Sequence, residues 1–168
     1  MSIAVADAGP LIHLNEIQGI SLLAGFEAIL VSSAVWQETV TSGRVSKEVL
    51  LGLSAFKRET VAEIPFQEFV QAQSLSNLQR GEQEALYLGA IHAIPIVLTD
   101  DLNARGAAKR LNMTPVGSLG IVVRAFYDGR TSRAQAEDHI NALYQVSSLF
   151  VTRAIVDLAI EQIRSRNR

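Results

Sequence analysis

Ile96-Val97-Leu98-Thr99-Asp100-Asp101 is the segment that most clearly indicates the fold class. Its apolar and β-branched residues predict a buried strand, and that strand ends directly in two acids. Ile3-Ala4-Val5-Ala6-Asp7 repeats the arrangement near the start of the chain. Acids that follow parallel strands point into the crevice where open α/β sheets bind ligands. The two stretches therefore predict a parallel sheet with carboxylates along one edge.

Helical patterns separate the apolar runs along almost the whole chain. Strands are predicted over residues 3–7, 28–31, 96–99 and 113–116, with a short edge strand over residues 59–64 that Pro65 ends. Strands that alternate with helices imply right-handed crossovers and a sheet covered on both faces. We therefore predict an α/β fold, a three-layer α/β/α sandwich with a central, mostly parallel sheet. The whole chain, residues 1–168, is predicted to form a single domain.

Two segments outside these strands also carry local predictions. Ser46 is expected to cap a helix whose apolar residues, from Val49 to Phe56, recur at helical spacing. Phe150 to Thr152 fits either a short strand or extended chain before the last helix.

Composition sets limits on the class of protein. Of 168 residues, 48% are hydrophobic and 19% are charged, which is typical of a globular domain. The net charge of −2 differs from the strongly basic balance of a protein that coats nucleic acid. The chain has no cysteine, which excludes thiol catalysis and suits a reducing cytoplasm. No signal peptide and no apolar run of about 20 residues is found, so no membrane segment is expected.

Three further acids lie at the start of predicted helices. Glu38 follows Ala34-Val35-Trp36-Gln37, and Glu82 and Glu84 follow Gly81. Carboxylates gathered at one sheet edge have a common use, which is to hold a hard divalent cation. Residues two apart on a helix lie about 200° apart, so Glu82 and Glu84 are not both expected to face that cation. Spacing alone does not choose between them.

A simpler interpretation exists for each acid taken singly. Asp7 can cap the helix that contains Pro10, and Asp101 can cap the helix from Leu102. The coincidence favours a metal site, because two apolar strands end in acids and two helices begin with them. Other site types lack their motifs: there is no phosphate-binding Gly-x-x-x-x-Gly-Lys loop and no His pair at zinc-ligand spacing.

Four motifs in order resemble the PIN-domain family, and most closely its VapC-related subfamily. They are Val5-Ala6-Asp7-Ala8-Gly9-Pro10-Leu11-Ile12, Ala34-Val35-Trp36-Gln37-Glu38, Gly81-Glu82-Gln83-Glu84-Ala85-Leu86 and Leu98-Thr99-Asp100-Asp101-Leu102-Asn103-Ala104-Arg105. The resemblance covers roughly residues 1–125, and the last helices, about residues 130–168, match less clearly. It implies a PIN-like fold and a Mg²⁺- or Mn²⁺-dependent ribonuclease, the toxin of a type II toxin–antitoxin pair.

The resemblance also implies a set of site residues. Its catalytic and metal-binding acids fall on Asp7, Glu38, Glu84 and Asp101. Glu84 is favoured over Glu82 because an Ala and an aliphatic residue follow it. Glu82 and Asp100 are expected to assist, and so is Arg105, one turn beyond Asp101, which can meet a phosphate drawn to the metal.

One position departs from the family pattern and leaves a second function open. The family has Ser or Thr two residues after the first Asp, and this chain has Gly9. The alternative is therefore a catalytically weak PIN-like module that binds RNA or a protein partner. A phosphatase of the haloacid-dehalogenase type is disfavoured because it needs an acid where Gly9 stands. A receiver domain is disfavoured because its acidic pair belongs to the first strand.

Partners are predicted in the same way. The resemblance implies an RNA substrate and a cognate antitoxin protein, in the cytoplasm. A homodimer is expected because the chain is apolar for its size, with a mean hydropathy of +0.20. Its apolar segments near Leu50–Phe56 and Ile20–Phe26 are the surfaces predicted to need covering.

Overall fold

The computed structural model describes residues 2–166, and its framework is a five-stranded parallel sheet. The strands are β1 (Ser2–Ala6), β2 (Phe26–Ser32), β3 (Phe56–Glu59), β4 (Ile96–Leu98) and β5 (Thr114–Val116). Their order is β3-β2-β1-β4-β5, and every neighbouring pair is parallel. The carboxyl ends of all five strands therefore lie along one edge, and the predicted α/β fold is confirmed.

Helices follow every strand, and three of them follow the last strand, β5. They are α1 (Ala8–Glu16), α2 (Ser33–Trp36), α3 (Lys47–Leu51), α4 (Glu63–Ala72), α5 (Arg80–Ile91), α6 (Leu102–Arg110), α7 (Ser118–Tyr127), α8 (Arg133–Gln145) and α9 (Arg153–Ser165). A 3₁₀ helix, Ile20–Gly25, precedes β2, and α2 continues as a π-helical turn over Gln37–Thr41. No helix within residues 2–166 is long and apolar enough to cross a membrane.

The two faces of the sheet bury two separate apolar cores. In β1, Ala4 and Ala6 face a core that includes Leu11 of α1 and Ile121 of α7. Val5, between them, faces a core built mainly from α4, α5 and α6. Successive side chains of a strand point to opposite faces, so a strand covered on both sides must be apolar throughout. This explains why β1 and β4 are the continuous apolar runs of the sequence.

The edge strand β3 lies earlier in the chain than predicted. It covers Phe56–Glu59 and pairs with β2, with Arg58 opposite Val31, so the strand expected over residues 59–64 is wrong. Pro65 lies in the first turn of α4, where a missing N–H costs nothing, and does not end a strand. The helix capped by Ser46 is correspondingly shorter and ends at Leu51, so Phe56 is a strand residue.

Two further expectations are settled by local structure. The segment from Phe150 to Thr152 is extended chain, and the Thr152 hydroxyl caps α9 by accepting from the Ile155 N–H. The apolar residues of the 3₁₀ helix do not form a surface patch, because Ile20, Leu22 and Leu23 are buried in the core. Of the two surfaces predicted to need covering, only the one near Leu50 keeps exposed apolar side chains.

Candidate metal centre

Asp7 is held at the carboxyl end of β1 by two hydrogen bonds. Its Oδ1 accepts from the Ala8 N–H at 2.7 Å, which caps α1, and its Oδ2 accepts from the Thr99 hydroxyl at 3.1 Å. The residue is only 6% exposed. Burial raises the pKa of its carboxyl from 3.8 to about 6, against the two hydrogen bonds, and the charges of Glu38 and Asp100 raise it further. Asp7 is therefore a buried acid among like charges.

Glu38 reaches the same edge from the π-helical turn after α2. The Ser32 hydroxyl fixes the start of α2 by accepting from the Val35 N–H at 3.2 Å. Partial burial raises the pKa of Glu38, and the charges of Glu82 and Glu84 raise it further, whereas a hydrogen bond from the Gly81 N–H lowers it. A Cβ on residue 81 would lie 2.4 Å from the Glu38 Oε1. The absence of a side chain at Gly81 therefore makes the space that this carboxylate fills.

Glu82 faces the acids that follow the strands. It lies in the first turn of α5, where its Oε2 accepts from the Gln79 N–H at 2.9 Å in a capping box. Partial burial raises its pKa from 4.5 to about 7, and the charges of Asp7 and Asp101 add to the rise. The capping box thus fixes the rotation of α5 and turns Glu82 toward the ends of β1 and β4.

Glu84 is engaged differently, on the other side of the same helix turn. It is 3% exposed, and its Oε1 accepts from Arg80 Nε at 2.7 Å while its Oε2 accepts from the Ala34 N–H at 3.0 Å. Arg80 also pairs with Glu63, at 2.7 Å. A buried carboxylate that pairs with a cation through one oxygen and accepts from a backbone N–H through the other has its charge and its hydrogen-bonding groups compensated. Glu84 therefore ties α5 to α2 and lies close to Glu38.

Asp101 and Asp100 follow β4 and have separate surroundings. Asp101 is exposed and caps α6, since its Oδ1 accepts from the Ala104 N–H at 2.8 Å. Asp100 accepts from the Ser118 N–H at 2.7 Å and the Ser118 hydroxyl at 2.6 Å, and its Oδ2 lies 2.7 Å from His13 Nδ1. Asp100 therefore joins β4 to α1 and α7, and Asp101 keeps an oxygen for another partner.

Arg105 approaches this edge from α6, one turn beyond Asp101. Its Nη1 donates to the Thr99 carbonyl at 3.2 Å, and it is partly buried. The guanidinium keeps further N–H donors, because one hydrogen bond uses only one of five. Arg105 is therefore placed where a phosphate beside Asp101 would meet it.

Several residues of this edge were not singled out by the sequence. Thr99, Gly81, His13 and Ser118 each hold an acid in place, and Arg80 neutralises another. Of these residues only Thr99 has a signal in the sequence, because it is a polar residue directly after an apolar strand. The contacts of His13 and Ser118 with Asp100 join positions far apart in the chain, and spacing carries no signal for them.

The arrangement suits a divalent cation in the kind and charge of its donors. The charge of Glu38 helps to raise the pKa of Asp7, that of Glu82 helps to raise the pKa of Glu38, and those of Asp7 and Asp101 help to raise the pKa of Glu82. Carboxylate oxygens are the ligands that Mg²⁺ and Mn²⁺ prefer. Within residues 2–166, no three His, Asp or Glu side chains are gathered closely enough to hold an ion. Like charges spread apart unless a cation lies between them, so rotation of these side chains would accompany binding.

The comparison with known families agrees with the fold. A family model described as a PIN domain matches residues 3–165. A search of curated proteins found no match to the chain. The matched range includes every strand except the first residue of β1, Ser2, and it extends over the helices that follow residue 125. The chain therefore belongs to the PIN-domain family.

Proposed function

We propose that this protein is a Mg²⁺- or Mn²⁺-dependent endoribonuclease. PIN domains are generally nucleases and typically use divalent metals, so the family supports this chemistry. The single observation that carries the proposal is that Asp7, Glu38 and Glu82 come from three separate elements to one edge of the sheet, near enough for their charges to raise one another's pKa values. Repulsion of this kind is characteristic of sites that hold a cation or a proton.

Three acids and one of the two α5 glutamates would hold the metal. Asp7, Glu38 and Asp101 each have an oxygen at the carboxyl edge. The sequence resemblance favours Glu84 as the fourth, but the contacts favour Glu82, because the charge of Glu84 is already neutralised by Arg80, whereas Asp7 and Glu82 accept only from neutral donors. A bound divalent ion would supply an activated water and neutralise charge on the phosphodiester.

The remaining residues of the edge orient this machinery. The Ala8 N–H and the Thr99 hydroxyl fix the Asp7 carboxylate, and the Gly81 N–H fixes that of Glu38. Arg105 is held against the Thr99 carbonyl and would donate to the phosphate. Asp100 positions α1 and α7 around the site through His13 and Ser118.

The biological role that we propose is that of a toxin in a type II toxin–antitoxin pair. Its support is the resemblance of the four motifs to VapC-related proteins. The partners are then cellular RNA in the cytoplasm, a cognate antitoxin and a second copy of the chain. Val49 and Leu51, which are 41% and 55% exposed, keep an apolar surface for a homodimer, and Phe150 and Leu102, which are 96% and 82% exposed, offer another.

A second candidate function is a binding module with little catalysis. Gly9 favours it, because no hydroxyl stands two residues after Asp7 to orient water. A Cβ on Gly9 would meet Asp100 and His13 only at ordinary contact distances of 3.7 Å, so the space for a larger residue exists. If the protein is a weak nuclease, the Gly9→Ser variant should therefore cleave RNA faster than the parent protein.

Cleavage of a mixed single-stranded RNA pool separates the two functions. Purified protein with Mn²⁺ should cut the RNA and leave 5′-phosphate ends, and EDTA or the Asp7→Asn substitution should stop the reaction. Binding of the RNA without any Mn²⁺- or Mg²⁺-dependent cleavage, in both the parent protein and Gly9→Ser, would favour the binding module.

A further inference from the structure

A small cleft between α3 and β3 combines an apolar floor with a basic rim. Its volume is about 230 Å³, and Val31, Trp36 and Phe56 form its floor. Lys47 and Leu51 of α3 and Lys57 and Arg58 of β3 also line the cleft. Arg58 shares the face of β3 that carries Phe56, because alternate residues of a strand point to the same side. The cleft therefore offers a flat apolar surface surrounded by positive charge.

The positive charge at this cleft is local and is not balanced by ion pairs. Between residues 44 and 58 the chain carries four basic residues and one acid, Glu48, although the whole protein has a net charge of −2. Within the described part of the chain, no carboxylate lies within 4.0 Å of the charged nitrogens of Lys47, Lys57 or Arg58. All three side chains are exposed. Such a patch attracts an anion.

Arg58 and Trp36 give the cleft a surface for stacking. The Arg58 guanidinium lies over the Trp36 ring, 5.1 Å from its centroid. Trp36 is itself partly buried, so its position is fixed by packing against the core. Unpaired nucleobases stack on aromatic rings and on guanidinium planes. A base added to this pair would continue an existing stack.

The cleft lies beside β3, which ends at the same edge of the parallel sheet as β1 and Asp7. Trp36 and Glu38 lie two residues apart in one helical segment, so the segment connects the cleft to the acids although the two side chains leave it in different directions. Arg58 lies near the end of β3, two strands away from β1 and Asp7. Neighbouring strands are about 4.8 Å apart, so the two strand ends are separated by roughly 10 Å. One RNA strand can reach both places at once.

We propose that this cleft is a nucleobase subsite that holds one unpaired nucleotide of a single-stranded RNA whose scissile phosphate lies at the acids. This inference rests on the proposed nuclease function. A dry cavity of about 150 Å³ accepts a benzene molecule, so the cleft is large enough for one heterocyclic base. Lys47, which also lines the cleft and is exposed, then provides a cation for a flanking phosphate. A base pair within a duplex keeps its bases stacked and cannot enter, so the subsite selects single strands.

Trp36 provides a direct test, because it is the only tryptophan of the chain. A short single-stranded RNA, titrated in EDTA so that no cleavage occurs, should change Trp36 emission saturably. The blunt duplex of the same sequence should bind at least about tenfold more weakly, since stacking on one base is lost. Fluorescence anisotropy of a labelled RNA gives a second measure that does not depend on Trp36.

Matched substitutions separate the subsite from general charge attraction. The double variant Lys57→Ala and Arg58→Ala should weaken single-strand binding by about tenfold and lower its salt dependence. The control, Lys109→Ala and Arg110→Ala, removes two exposed cations from the end of α6 and should change affinity by less than about twofold. Single variants at Lys57 and Arg58, checked by thermal melts, serve if the double variant unfolds.

The outcomes distinguish this inference from the proposed nuclease function. Equal losses in the two double variants, equal affinity for duplex, or unchanged Trp36 emission would overturn the subsite. An acidic peptide that produces the same emission change at the same concentration would show a protein-binding surface instead, and would also overturn it. Mn²⁺-dependent cleavage that persists in any of these cases leaves the nuclease standing. RNA binding at Trp36 without cleavage leaves the subsite standing and removes the nuclease.

Discussion

Gly81 and Glu38 share one space: a Cβ on Gly81 would lie 2.4 Å from Glu38 Oε1 and 3.2 Å from its Cδ. The contact joins the first turn of α5 to the π-helical turn after α2, which are far apart in the sequence. Because the atoms concerned are the end of a flexible side chain, a methyl group at residue 81 would displace the carboxylate rather than the backbone. The two residues thus connect a backbone feature of α5 to the position of a candidate metal ligand.

Gly81→Ala should lower cleavage without unfolding the protein. We expect the rate with Mn²⁺ to fall by at least about tenfold, because Glu38 is pushed away from its neighbours. Stability should be unchanged or higher, since Ala in place of a helical Gly contributes up to about 1 kcal/mol. The control is Gly106→Ala in α6, where a Cβ would meet nothing within 4 Å. Equal activity in the two variants would contradict a role for Glu38.

Glu82→Gln and Glu84→Gln should differ in what they damage. Glu82→Gln should remove metal-dependent activity and leave the metal-free protein as stable as the parent, because it relieves repulsion with Asp7 and Asp101. Glu84→Gln should lower the free energy of unfolding by about 1–3 kcal/mol. The charge-assisted bond with Arg80 is lost, and either Arg80 or the Ala34 N–H then faces the NH₂ group of the new side chain, which cannot accept its hydrogen bond. Urea denaturation in EDTA and cleavage assays in Mn²⁺ give the two readouts.

The reverse pattern would support the residue that the sequence resemblance favours. If Glu84→Gln abolishes the metal-dependent shift in melting temperature while Glu82→Gln leaves it intact, Glu84 is the ligand. In that case Arg80 would have to release Glu84 when metal binds. An Arg80→Gln variant then separates the two steps, because it frees Glu84 without removing its carboxylate.

The sequence predicted the buried strands and the acids beside them for a simple physical reason. β1 and β4 are covered on both faces, so they appear as continuous apolar runs, and an acid directly after such a run must lie at the sheet edge. β3 was misplaced because it has the opposite character. It is a four-residue edge strand with Lys57 and Arg58 exposed, and only its pairing with β2 makes it a strand.

The choice between Glu82 and Glu84 depended on geometry that spacing does not contain. The capping box between Gln79 and Glu82 sets the rotation of α5 about its axis. Arg80 then neutralises Glu84 and reaches Glu63 on α4, which is a contact between elements. A helical period predicts that the two acids diverge, but only the packing of α5 against α2 and β1 decides which one faces Asp7.

The stability of the metal-free protein should fall as pH rises from about 4 to 7. The pKa of Asp7 rises from 3.8 to about 6 on folding, and that of Glu82 from 4.5 to about 7. A group whose pKa is raised in the folded state contributes stability below its unfolded pKa, and that stability is lost as pH passes through the folded value. For Asp7 alone the loss is at most roughly 3 kcal/mol.

Other acids also contribute to the pH dependence of the free energy of unfolding. Glu38 has a raised pKa and acts in the same direction, whereas the lowered pKa of Glu63, about 2, acts only at lower pH. Urea melts in EDTA at several pH values between 4 and 8 measure the slope. Asp7→Asn should make it shallower without removing it, because Glu82 and Glu38 still act in the same direction. A parent protein whose stability rises steadily over this range would contradict the burial of uncompensated acids.

Asp7→Asn should abolish RNA cleavage and leave the metal-free fold at least as stable as that of the parent. An amide oxygen can still accept from the Ala8 N–H and cap α1, and the loss of charge relieves repulsion with Glu38 and Asp100. Added Mn²⁺ should stabilise the parent, because a ligand that binds only the native state raises the free energy of unfolding, by about 2.7 kcal/mol at a hundred times its Kd. The variant should lose most of that gain. Thermal melts with and without Mn²⁺, run beside the RNA cleavage assay, measure both effects. A parent protein with neither a Mn²⁺-dependent melting shift nor cleavage would exclude the metal-dependent nuclease and leave the RNA-binding module as the function to pursue.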